Sequence, residues 1–163
     1  MSEAFGAYGK IPGMGDFLRI GLSASFVKVW DDWMQRSLLA AQQALGPHWQ
    51  DAYFSAPIWR FTLQPQHTGI AAMSGILMAS VDRVGRQYPL TLVAQHPPDR
   101  YAERHFANRA VFESLETLAL TVLDRDLGRD DLAEGLQAMS LQRRGDSSWT
   151  DAAYTGTVPP DAL

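Results

Sequence analysis

The segment from Ile70 to Ala79 is apolar on both parities, with Ile70, Ala72, Ile76 and Met78 alternating with Ala71, Met73, Leu77 and Ala79. Side chains of a strand point alternately to opposite faces, so a strand of this composition needs cover on both sides. Two further strands flank it in sequence. Ile58 to Gln64 places Trp59, Phe61 and Leu63 on one side and Arg60, Thr62 and Gln64 on the other, a half-buried pattern. Tyr88 to Gln95 is the other, closed by Pro97-Pro98. Gln64-Pro65-Gln66-His67-Thr68-Gly69 reads as a hairpin turn. Three successive strands with no helix between them favour antiparallel pairing.

The cover is supplied by amphipathic helices. One is predicted to start at Ser25, whose hydroxyl suits the first free amides, and to end at Gly46-Pro47. Val27, Trp30, Met34, Leu38, Ala41 and Leu45 make its apolar face, widened by Phe26 and Trp33. Trp30 and Trp33 would each bury ~150–250 Å², about 4–6 kcal/mol as an upper bound. Asp31 and Asp32 fall on the wetter side. A second helix is expected from Glu103 to Asp126, with Phe106, Val111, Leu115, Leu118 and Val122 inward. Gly128 stops it, and Asp130 and Asp131 open a shorter helix with Leu132, Leu136 and Met139 inward. Residues 4 to 9 form a first strand that breaks into a Gly/Pro loop, and His48 to Pro57 is a linking stretch.

The order β-α-β-β-β-α-α defines an α+β fold: a mainly antiparallel sheet flanked by helices on both faces. Longin-type and roadblock-type domains have comparable layouts, a likeness of fold alone. Residues 1–140 are expected to form one domain, and residues 141–163 a flexible tail. Within that tail, Arg144-Gly145-Asp146 is not expected to act as an adhesion signal, since no secretion signal is visible in the sequence.

Composition narrows the function. No cysteine is present, which excludes internal disulfides and fits a reducing compartment. No signal peptide or bilayer-spanning run is visible, so a soluble cytoplasmic protein is expected, without membrane insertion. A net charge of −4 argues against a general nucleic-acid footprint.

Catalytic motifs fail when tested. Gly9-Lys10 lacks the glycine five residues earlier, where Ala4 stands, and the following Ser or Thr, where Ile11 stands. His48, His67, His96 and His105 are scattered without metal-ligand spacing, and His105 is expected on a solvated helix start. Asp31 and Asp32 diverge by about 100° on a helix and cannot flank one bond. No catalytic, cofactor-binding or metal-ligating residue is assigned. The remaining candidates are Lys10, Asp16, Arg19, Arg60, Asp82, Arg83 and Arg86, near element edges and glycine-rich turns. They support three readings: an internal network that pins two loops, a partner-recognition patch, or an active site.

Gly9-Lys10-Ile11-Pro12…Gly15-Asp16-Phe17 resembles the opening signature of the TagF family of type VI secretion accessory proteins. The resemblance continues through Phe26…Trp30-Asp31-Asp32-Trp33 and Ala56-Pro57-Ile58-Trp59-Arg60-Phe61. It ends in Ser80-Val81-Asp82-Arg83-Val84-Gly85-Arg86…Tyr88-Pro89-Leu90. Ala79 stands where the family commonly has proline, and the metal-phosphatase motif of fused members is missing from this sequence. The resemblance implies a cytoplasmic, non-enzymatic, post-translational repressor of type VI secretion that binds a forkhead-associated-domain scaffold protein. The alternatives are a nucleotide-dependent switch or enzyme using the Gly/Lys loop, and a structural subunit of the apparatus.

Overall fold

The computed structural model describes residues 4–68, 71–96, 101–125 and 127–145. Five strands form one antiparallel sheet: β1 (Phe5–Gly9), β2 (Leu18–Ile20), β3 (Trp59–Leu63), β4 (Ala72–Met78) and β5 (Leu90–His96), in spatial order β2-β1-β5-β4-β3. β4 lies inside the sheet, paired to β3 through Phe61↔Gly75 and to β5 through Ile76↔Leu92. β1 adds to the far side of β5, with Ala7 opposite Leu92. The α+β class, the antiparallel pairing and the helices on both faces are as the sequence implies.

The two faces separate by strand parity. One carries Phe5, Ala7, Ile76, Met78, Leu90, Leu92 and Ala94 against α5 (Arg109–Asp124) and α6 (Arg129–Gly145). The other carries Tyr8, Met73 and Val93, joined by Tyr88 from just before β5, against Phe26, Trp30 and Met34 of α1 (Ala24–Leu45). Trp30 is the centre of this second layer. Its ring lies 5.8 Å from Phe26 and 5.0 Å from Phe61, and its Nε1 donates to Thr91 Oγ1 at 2.8 Å. Trp33 does not share that burial. It leans on Trp30 at 4.9 Å but remains 45% exposed, so it contributes about half the expected area.

The order β-α-β-β-β-α-α is not kept, because the three-residue strand β2 precedes α1 and short helices stand before and after β3, and several boundaries also differ from expectation. Ser23, not Ser25, caps α1, accepting from the Phe26 amide at 3.2 Å. The apolar count alone does not fix a cap, because both serines stand before the first buried aromatic. The linking stretch is largely helical: a 3-10 turn (Gly46–His48) runs into α2 (Trp49–Phe54), anchored by buried Tyr53. In place of the hairpin turn, Pro65–Thr68 is a short helix, α3; Gly69 and Ile70 lie outside the described residues. The single long helix is two, α4 (Tyr101–Ala107) and α5, separated at buried Asn108, whose φ −97° and ψ 32° leave the helical region. Helix α6 runs on to Gly145, past the expected end of pattern near residue 141. Pro97-Pro98, Asp126 and residues 146–163 lie outside the described residues.

Candidate docking edge built from two loops

Strand β1 delivers Lys10 to the end of the sheet, where the segment 80–88 closes over it. Gly9 makes that approach feasible. Its φ is +135°, and a Cβ would overlap the Pro89 carbonyl oxygen. The sequence step Gly9-Lys10 thus has a packing reason in the crossing of two backbones.

Asp82 organises the junction. Its Oδ2 accepts from Lys10 Nζ at 2.9 Å and Arg86 Nε at 2.7 Å, and its Oδ1 from the amides of Val84 at 3.1 Å and Arg86 at 2.9 Å. Two acceptors per oxygen are in use, and the side chain is fully buried. Burial by itself would push the carboxyl up. The Lys10 ammonium, the Arg86 amide and guanidinium and the Val84 amide outweigh it and hold the group far below the usual carboxylate range. Lys10 is 7% exposed, with its ammonium 5.0 Å from the centre of the Phe17 ring.

Backbone bonds join the same two segments. Arg83 N donates to Met14 O at 2.8 Å, Arg83 Nη2 to Gly13 O and Arg86 Nη2 to Gly15 O, both at 2.6 Å. Ser80 Oγ donates to Lys10 O at 2.7 Å, and Tyr53 of α2 donates its hydroxyl to Ser80 O at 2.7 Å. Burial pushes the Tyr53 hydroxyl up to about 12, against the lowering effect of the Ser80 amide, which donates to the phenol oxygen at 3.1 Å.

Phe17 ties this junction to α1. It stacks on Tyr8 at 5.8 Å and meets the Tyr88 ring edge-on at 4.7 Å. Both tyrosines donate to Asp31 Oδ1, Tyr8 at 2.9 Å and Tyr88 at 2.7 Å. Burial first, and then the Asp31 carboxylate, push Tyr8 up to about 12 and Tyr88 higher still. The expectation that Asp31 and Asp32 form one solvated face is therefore wrong for Asp31, which is half-buried beneath the tyrosines. Asp32 is exposed.

Of the candidate residues, Lys10, Asp82 and Arg86 meet directly, and Arg83 joins them through Gly13. Asp16 is exposed and accepts from the Phe17 amide at 2.7 Å. Arg19, on β2 opposite Tyr8, is exposed, and its carbonyl accepts from Arg129. Arg60 belongs elsewhere. Its guanidinium pairs in parallel with Glu116 of α5, Nε–Oε1 at 2.5 Å and Nη2–Oε2 at 2.9 Å, and stands 5.6 Å from the Phe112 ring centre.

Sequence reasoning missed a second polar chain, on the α5 side of the sheet. His96 Nε2 and Ser74 Oγ are 2.9 Å apart, Ser74 Oγ and Thr62 Oγ1 2.8 Å, and Thr62 Oγ1 and His105 Nδ1 2.8 Å. Cross-strand pairing of Thr62 with Ser74 aligns the two hydroxyls. His105 is half-buried instead of standing on a solvated helix start. Burial, and then the nearby Arg60 charge, push its imidazole below the ordinary value. Ser74 and His96 are 1% and 2% exposed, so this serine–histidine contact is buried. Among the described residues no cluster of three or more His, Cys, Asp or Glu is arranged to hold a metal. Among the same residues no helix is long and apolar enough to cross a membrane.

Fold and junction together define an α+β sandwich domain in which three sequence motifs converge on one end of the sheet. The comparison with known families agrees with the resemblance carried by those motifs: residues 6–139 match the TagF N-terminal domain, type VI secretion system-associated, and the chain belongs to that family. It is similar to the crystal structure of PA0076 from Pseudomonas aeruginosa PAO1, solved at 2.05 Å, with 36% identity and a TM-score of 0.79. The similarity covers 82% of this chain and 61% of that one, so the match spans less than two thirds of PA0076. No match is found among curated proteins.

Proposed function

We propose that this chain is a non-catalytic docking domain of the bacterial cytoplasm that restrains type VI secretion after translation by binding a forkhead-associated-domain scaffold protein. One observation carries the reading. The charged groups that a reaction would recruit at the glycine-rich loops are engaged in joining them: Lys10, Arg86 and two amides occupy all of Asp82, and Phe17 covers Lys10. A buried network satisfied in this way fixes shape, and a fixed shape lowers the ordering cost of association. The family's association with type VI secretion supports the setting.

Deleting the chain from its host and measuring export of the secretion tube protein tests the repressor role. Export is expected to rise, and the purified chain to co-elute with the scaffold. Unchanged export would contradict the reading, and reduced export would favour a structural subunit. A thermal shift with nucleotides would favour the switch; a ligand at about 100 times its dissociation constant adds about 2.7 kcal/mol.

A further inference from the structure

The turn from Asp82 to Arg86 holds an apolar side chain out in solvent on a rigid frame. Val84 is 73% exposed. Yet every amide from 82 to 86 is bonded: Asp82 N to Arg86 O, Arg83 N to Met14 O, Gly85 N to Asp82 O, and the Val84 and Arg86 amides to Asp82 Oδ1. Gly85, at φ +84°, closes the turn with nothing near its missing side chain. Val84 is therefore presented by a fixed loop.

The charges around it are unbalanced. Lys10 and Arg86 share the one carboxylate of Asp82, while among the described residues the Arg83 guanidinium bonds the neutral Gly13 carbonyl and no carboxylate. Two cations thus meet this buried anion and a third, Arg83, is held beside it, with the exposed Asp16 carboxylate on the adjoining loop. Each guanidinium is anchored by one Nη to a carbonyl of the 13–15 segment, which immobilises both arginines on either side of Val84. Planar forks held in this manner suit carboxylates.

We propose that Arg83-Val84-Gly85-Arg86 is a preformed knob that enters an apolar socket rimmed by carboxylates on the partner. This rests on the docking reading above and specifies the chemistry of its contact. The valine supplies a desolvated centre and the arginines steer and orient the approach.

The test is kinetic binding of the purified full chain to the immobilised scaffold, from about 50 to about 500 mM NaCl, a range over which exposed charges become screened. Wild-type affinity is expected to fall several-fold with salt. Arg83→Glu and Val84→Asp are each expected to weaken it about tenfold or more, while Arg109→Glu, the same charge change at the start of α5, leaves it unaltered. Arg83→Gln and thermal melts of each variant separate loss of charge from loss of fold, and Val84→Asp leaves the Arg83 anchor in place. Salt-insensitive binding, with both tip variants at wild-type affinity, would overturn the knob and leave the docking reading standing. Failure of the wild type to bind at any salt would remove both. Equal, Arg83-dependent binding to single-stranded DNA would show a general polyanion surface and likewise overturn the socket.

Discussion

Gly9 and Lys10 show how one dipeptide has two separate physical causes. Gly9 is required by its positive φ and by the Pro89 carbonyl, so Gly9→Ala is expected to cost about 2–4 kcal/mol, as strained, overpacked sites do. Denaturant unfolding checks this, and a loss below about 0.5 kcal/mol, the scale of an ordinary surface change, would contradict it. Lys10→Met leaves Asp82 with the Arg86 and Val84 donors, so the expected loss is smaller, about 1–3 kcal/mol. An unshifted urea midpoint would show that the ammonium contributes nothing. At this scale the sequence exposes charge type but not partner. Lys10, Asp82 and Arg86 stand out because glycine surrounds them. Asp31 does not, because helix periodicity gives its direction and only the docking of α1 places it under Tyr8 and Tyr88.

Elements whose apolar period runs long are legible, and those defined by one anchor are not. The α1 face, the alternation of β3 and the two-sided burial of β4 follow from pattern. Strand β2 has three residues and α2 has six, too few for a period to register, and α2 depends on Tyr53 reaching Ser80 across the fold. The start of α1 gives a direct check: Ser23→Ala is expected to cost about 1 kcal/mol and Ser25→Ala only tenths, read from thermal or chemical unfolding. Equal losses would place the cap elsewhere. Acid acts in two stages on the element contacts. Because burial and Arg60 hold folded His105 below its ordinary 6.5, the unfolded chain protonates first, and stability falls as pH drops below about 6.5. Asp82 and Glu116 are held below their ordinary values, so their contribution is complete above about pH 4.5 and lost as pH falls further. Urea titrations from pH 7.5 to about 3 should show both stages, and His105→Gln should remove the first alone. A wild type equally stable at pH 7 and pH 5 would contradict this assignment.

The whole molecule is a sheet with each face covered by helices and one end tied shut by residues from the Gly/Pro loop, α1 and the 80–88 segment. The fourth motif runs along β3 at the other edge, where Arg60 joins α5. That division was not readable beforehand, because the spatial order β2-β1-β5-β4-β3 brings β1 beside β5 from opposite halves of the described chain. Hydrogen exchange on the full chain, alone and saturated with the scaffold, probes the tied end most directly. Free protein should already show slow exchange at the Val84 and Arg86 amides bonded to Asp82, and the scaffold should add protection across 13–17 and 82–86 while α5 and α6 stay unchanged. Fast exchange at those two amides, or scaffold protection confined to the helices, would contradict the account.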